Sequence, residues 1–175
     1  MQSTRTPSRA ITFMASMVAL LTTLFLSFVS WGRSHLPTRR TLRRVPVVLQ
    51  LNATECGAAC LAMVLGYHGR PTRVAEVRDA TGVGRDGLNA GTIIATATGY
   101  GLRMKAFSLQ PADLARVPMP AIIHWDFEHF VVVERWSPKR VTIVDPATGR
   151  RTVDADEFSN RFTGVVLACE PTDTF

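Results

Sequence analysis

QLNATECGAACLAMVLGYHG, residues 50–69, brings a cysteine, Cys56, to the point where a polar turn gives way to a helix-forming run. Ala58, Ala59, Leu61, Ala62, Met63, Val64 and Leu65 favour a helix from Cys56 onward, and Gly66 and Gly69 punctuate its end. A thiol at a helix N-terminus meets unsatisfied N–H groups and the positive end of the macrodipole. Both favour the thiolate, the nucleophilic form. Cys60, one turn later, reads as a packing residue, and Leu61 to Leu65 as core. Gln50, six residues before the cysteine, is a polar amide able to turn back towards the same thiol.

Around this stretch lie 175 residues, room for one domain of ordinary size with a tail or anchor. The net charge of +6 is unevenly spread. Residues 1–50 hold seven arginines and no acid, whereas the remainder holds thirteen Lys/Arg against fourteen Asp/Glu. The globular part is therefore nearly neutral, which argues against a nucleic-acid surface on it. Three cysteines, Cys56, Cys60 and Cys169, make no disulfide framework and no CxxC pair. A zinc site from Cys56, His68, His124 and His129 lacks ligand spacing, so no metal and no cofactor are expected.

Upstream, AITFMASMVALLTTLFLSFVSW (10–31) runs 22 residues without a charge. As a helix it spans about 33 Å, enough to cross a bilayer, and Trp31 suits an interfacial anchor. Arg5 and Arg9 precede it and five arginines follow. The heavier cluster points to a single-pass inner-membrane anchor with the following domain in the cytoplasm. A cleaved signal is the rival, without an A-x-A site, and a start codon further on is a third reading. The expected organisation is a tail and transmembrane helix at 1–32, a basic linker at 33–45 and a domain at 46–171.

Downstream of the cysteine helix, Val74, Val77 and Ala80 recur at helical spacing in TRVAEVRDAT (72–81). Gly82, Gly84 and Gly87 form a loop around Arg85-Asp86, and a third helix is predicted from Asn89, its cap, to Thr98. LRMKAF (102–107) alternates like a strand, and Gln110 to Arg116 reads as a short helix stopped by prolines. Strands follow at AIIHW (121–125), HFVVVERW (129–136) and RVTIVD (140–145), with a brief return at 151–153. DADEFSNRF (154–162) reads as a short amphipathic helix and TGVVLACE (163–170) as a closing strand. Helices first and an antiparallel sheet afterwards make an α+β domain.

His129 opens one of these strands and Asp145 ends the next. If the two pair through the short turn at Ser137-Pro138-Lys139, imidazole and carboxylate meet at one edge of the sheet. A helix-borne thiolate packed there completes a set of nucleophile, base and orienter. Each has a plainer reading: Asp145 as a turn residue before Pro-Ala-Thr-Gly, His129 as a surface histidine. His124 is a rival base but sits inside its strand, and His68 reads as structural or exposed near the helix end.

QLNATECGAACLAMVLGYHG resembles the nucleophile segment of the bacteriocin-processing cysteine peptidases, papain-like domains found at the N-terminus of peptidase-containing ABC transporters. The shared pattern is a glutamine (Gln50), an acid before Cys-Gly (Glu55, Cys56-Gly57) and a helix ending in Tyr-x-Gly (Tyr67-His68-Gly69). HFVVVERW resembles the family's histidine motif and DPATG its aspartate motif. The likeness runs from about Val45 to Pro171. RDGLNA (85–90) and GVVLACEP look most like the subgroup exporting peptides with nitrile-hydratase-like or Nif11-like leaders.

What the resemblance implies is a papain-like fold and cytoplasmic cleavage of a precursor peptide after a double-glycine-type site, Gly-Gly or Gly-Ala, coupled to export. Cys56 is then the nucleophile, His129 the general base, Asp145 its orienter and Gln50 the oxyanion donor. Two small residues before the scissile bond imply a narrow cleft, expected near Glu55 and Gly57, with an apolar groove beside it for upstream leader residues. The family's acid two residues after the glutamine is Asn52 here, which weakens a local cap. Transporter members continue into membrane helices and an ATPase; this chain stops at Phe175 and holds no P-loop for ATP. The expectation is an anchored leader peptidase beside a separate ABC exporter. A catalytically silent leader-binding module and the peptidase part of a truncated exporter are the alternatives.

Overall fold

A computed structural model describes residues 43–82 and 87–175, and its compact unit covers Arg43–Phe175. The segment 10–31, most of the basic linker and the loop around Arg85-Asp86 lie outside the described residues. Among the described residues no helix is long and apolar enough to cross a membrane.

A 3₁₀ turn, Ala53–Glu55, leads into helix α1, Cys56–His68. Ten consecutive residues of α1, from Cys56 to Leu65, are buried, so the helix is apolar all round and forms the centre of the core. It runs through Gly66 and stops at Gly69, whose φ of 108° is the left-handed conformation that ends helices. Helices α2 (Val74–Thr81) and α3 (Ala90–Gly99) pack beside it through Val77, Ile93 and Ala97. Ala80, which recurs at helical spacing with Val74 and Val77, is exposed. The last turn of α2 has already left the core at that point. Asn89 caps α3 as expected, accepting the Thr92 N–H at 2.9 Å.

The strands are β1 (Leu102–Ser108), β2 (Ala121–Trp125), β3 (His129–Trp136), β4 (Arg140–Asp145), β5 (Gly149–Asp154) and β6 (Phe162–Pro171). Pro111–Arg116 is the short helix expected there, of 3₁₀ type, and α4 (Ala155–Arg161) joins β5 to β6. The return after β4 is a full six-residue strand, longer than the three residues expected. All pairings are antiparallel, in the order β1-β6-β2-β3-β4-β5. One face, with Met104, Ile122, Val132 and Leu167, packs on α1–α3. The other, with Ile123, Val131, Val133 and Ile143, packs on Leu114 and on Phe158 of α4. Covered on both faces, β2 and β3 are nearly continuous apolar runs.

Residues 43–50 form a strap without regular structure leading to α1. Val45 is fully buried, and its N–H donates to Glu134 Oε1 at 2.8 Å. Arg150 pairs with Glu134 and donates to the Val45 carbonyl. The β3–β4 register shifts between Val133 and Arg135, placing Glu134 at a bulge where it meets the strap. Gln50 ends the strap with its N–H on the Pro146 carbonyl at 2.9 Å.

Candidate active site

Asp145 closes β4 in a turn that its own carboxylate organises. Oδ1 accepts the Ala147 N–H at 2.8 Å, and Oδ2 accepts the Thr148 hydroxyl at 3.0 Å. The same Oδ1 accepts from His129 Nε2 at 2.9 Å. The two readings of Asp145, turn residue and imidazole partner, are therefore both true of one side chain. Burial works against its charge, but the His129, Ala147 and Thr148 donors outweigh it and hold the pKa at about 2.

An ionised acceptor fixes the imidazole: Nε2 carries the proton towards Asp145, which turns Nδ1 to the other side. The ring and the Cys56 thiol lie near enough for each to favour the charge of the other. The Asp145 bond first, then the Cys56 bond, raise the His129 pKa to about 9. Burial opposes ionisation of the Cys56 thiol, yet His129 and the main-chain groups of Phe130 on β3 and Gly57 on α1 bring its pKa below the ordinary value. Both shifts run in the direction of a thiolate–imidazolium pair. Cys60, fully buried with its thiol on the Phe130 carbonyl at 3.3 Å, has its pKa pushed well up by burial. All three cysteines are free.

Cys56 opens onto a cleft of about 630 Å³ whose walls include Thr54, Leu88, His124, Phe127 and Phe130. Neither Glu55 nor Gly57, beside which the cleft was expected, lines it. Glu55 is 1 % exposed. It accepts the Leu51 N–H and pairs with Arg78 of α2 at 3.0 Å, which fastens the loop preceding Cys56. Gly57 faces α3, where a Cβ would come within 3.0 Å of Leu88 Cβ and Ile93 Cδ1. Its small size serves helix packing. Asn52 caps the 3₁₀ turn, accepting the Thr54 N–H at 3.1 Å.

Gln50 does not line the cleft, and its Oε1 is buried without a partner among the described residues. His124, the rival base, bonds Thr163 on β6 and stands on the cleft floor. His68 is edge-on to Tyr67 and Phe175 at the far end of α1. Sequence reasoning missed Phe127, which is 82 % exposed at the cleft mouth with φ of 64°. An aromatic between two acids in a two-strand turn, Asp126-Phe127-Glu128, is the signal that points to it. Asp126 is forked by Arg161, which also lies over the Trp125 ring, and this bracing holds the turn.

Over 136 residues the chain is 39% identical to the probable microcin-H47 secretion/processing ATP-binding protein MchF of Escherichia coli. It is 38% identical to the colicin V secretion/processing ATP-binding protein CvaB of the same species. Each match covers 78% of this chain and 20% of the relative, so the chain spans about a fifth of the length of these curated proteins. Among solved structures it is similar to a double glycine motif protease from an AMS/PCAT transporter in complex with the leader peptide. That likeness has 42% identity and a TM-score of 0.71, and covers 78% of this chain and 98% of the other. Residues 44–174 match the Peptidase C39 family, a span that takes in the strap, the helices, the whole sheet and the cysteine–histidine–aspartate cluster. The α+β fold and this match together establish that the chain belongs to the Peptidase C39 family.

Proposed function

We propose that this chain is a cysteine endopeptidase that removes the leader of a ribosomally made precursor peptide by cutting after a Gly-Gly or Gly-Ala site. The observation that carries the reading is the 2.9 Å hydrogen bond between His129 Nε2 and Asp145, with His129 and Cys56 favouring each other's charge at the wall of an open cleft. The Cys56 thiolate adds to the carbonyl carbon of the last leader residue. The Gln50 amide, as oxyanion donor, and the start of α1 stabilise the charge that forms on oxygen. The C–N bond breaks as His129 Nδ1 passes its proton to the departing amine, leaving a thioester. Water then adds to the thioester, His129 takes its proton, and the carboxylic acid product leaves the thiolate behind.

Upstream leader residues lie against Leu88, Phe127, Phe130 and Val165, the apolar part of the cleft. The segment 10–31 anchors the domain, 46–171, to the inner membrane on its cytoplasmic side, next to an ABC exporter that takes the released peptide. The RDGLNA loop and GVVLACEP ending favour substrates with nitrile-hydratase-like or Nif11-like leaders.

The test uses the full chain in detergent with a precursor peptide carrying a Gly-Gly or Gly-Ala site. Release of the leader at that bond, abolished by Cys56→Ala, is the expected result, read by mass spectrometry. Binding by the reduced protein with no cut peptide would leave a silent leader-binding module instead.

A further inference from the structure

His124 faces the cleft from a place where the sheet is irregular. It lies opposite Phe130 across β2–β3, with ring centroids 5.0 Å apart. On its other side the β2–β6 register shifts between Ile123 and Trp125, so His124 sits at a bulge, the kind of feature that re-aims a side chain. Thr163 fills the gap from β6. Its hydroxyl lies 3.2 Å from the His124 carbonyl and 3.1 Å from His124 Nδ1.

That pair of contacts selects a tautomer. The carbonyl can only accept, so it takes the single hydroxyl proton of Thr163. Nδ1 must then be the N–H that donates to the same oxygen, and Nε2 is left with a bare lone pair. Nε2 has no protein partner among the described residues and, unlike Nε2 of His68, is not enclosed. Burial first, and the positive charge of His129 second, lower the His124 pKa, so the ring stays neutral beside a protonated His129. At His124 the cleft therefore offers a hydrogen-bond acceptor beside the apolar side chains of Phe130 and Val165.

We propose that His124 is a substrate-binding residue whose bare Nε2 accepts a main-chain N–H of the peptide lying in the cleft, setting the register of that peptide against Cys56. An extended peptide presents unpaired N–H groups whatever its side chains, so this contact reads position rather than sequence. The assignment rests on the peptidase reading above.

Two measurements test it on the full chain in detergent micelles. With ¹⁵N-labelled histidine, the His124 ring should show a protonated Nδ1 and a bare Nε2 at neutral pH. In the Cys56→Ala protein, the Nε2 resonance should move towards the hydrogen-bonded range when a precursor peptide with a Gly-Gly site is added. The opposite tautomer, or an Nε2 unmoved by bound peptide, overturns the assignment. In kinetics, His124→Gln places an amide oxygen near the Nε2 position, whereas His124→Asn reaches only Thr163. His124→Asn should raise KM about five- to tenfold with kcat nearly unchanged, and His124→Gln should recover most of the loss. Two variants that both match the unaltered protein overturn the His124 assignment while leaving the peptidase reading intact. Peptide that shifts Nε2 but is never cut removes the peptidase reading and keeps the contact.

Discussion

Oδ1 of Asp145 serves the turn and the imidazole at once, so removing its charge should loosen both. Asp145→Asn is expected to move the alkaline limb of kcat/KM from about 9 down towards 6.5, the ordinary histidine value, because the Asp145 bond is the largest cause of the raised pKa. An unmoved limb would remove Asp145 from the relay. His129→Ala should lower kcat by about 10²- to 10⁴-fold, more than Asp145→Asn, in single-turnover assays. Stability follows the same pair. The His129 pKa is raised on folding, so its contribution is complete below about 6.5 and lost as pH rises through about 9. The Asp145 pKa is depressed, so its contribution is complete above 3.8 and lost as pH falls through about 2. Urea midpoints should decline on the alkaline side in the unaltered protein and flatten there in His129→Ala. Cys56, His129 and Asp145 are legible in the sequence because each marks the start or end of an element. The partner of Glu55 is not: Arg78 stands 23 positions away and only the packing of α2 on the loop brings it near.

Helix α1 positions Cys56 only as well as α3 positions α1. Gly57→Ala puts a methyl group 3.0 Å from Leu88 Cβ and Ile93 Cδ1, so either α3 or the loop before it must shift. The expected cost is about 1–3 kcal/mol, read from urea unfolding, with a narrowed cleft because Leu88 is part of its wall. A variant as stable and active as the parent would show that this contact yields freely. The helices are legible from their periodicity and from the Asn89 cap, which are local properties. The order of the sheet is not, because β1 pairs with β6 some sixty residues later and nothing local in LRMKAF names that partner. The same applies to the bulges at His124 and Glu134, where a polar residue in an apolar strand takes its meaning from Thr163 and from the strap.

The molecule is a sheet covered on both faces, with the strap fastened across it by the Glu134–Arg150 pair. Arg150→Ala leaves the Glu134 carboxylate, 8 % exposed, without its cation. Truncating one partner of such a pair costs about 3 kcal/mol, which a lowered urea midpoint should report. Glu134→Gln, which can still accept the Val45 N–H, should cost less. Equal midpoints for Arg150→Ala and the parent would show the pair to be dispensable. Both main-chain groups of Val45 are held by this pair, whereas Gln50 is held five residues later by the turn that follows Asp145. Before it reaches Gln50, a pull applied from the N-terminal side meets the exposed Arg43–Tyr67 bond and then the buried Val45 fastening. Tension is stopped there, and the Gln50–Pro146 link and the relay behind it bear no load until that fastening shears. In an optical trap, Arg150→Ala should lower the force at which this fastening ruptures, with the Gln50 end of the strap the next part to give way.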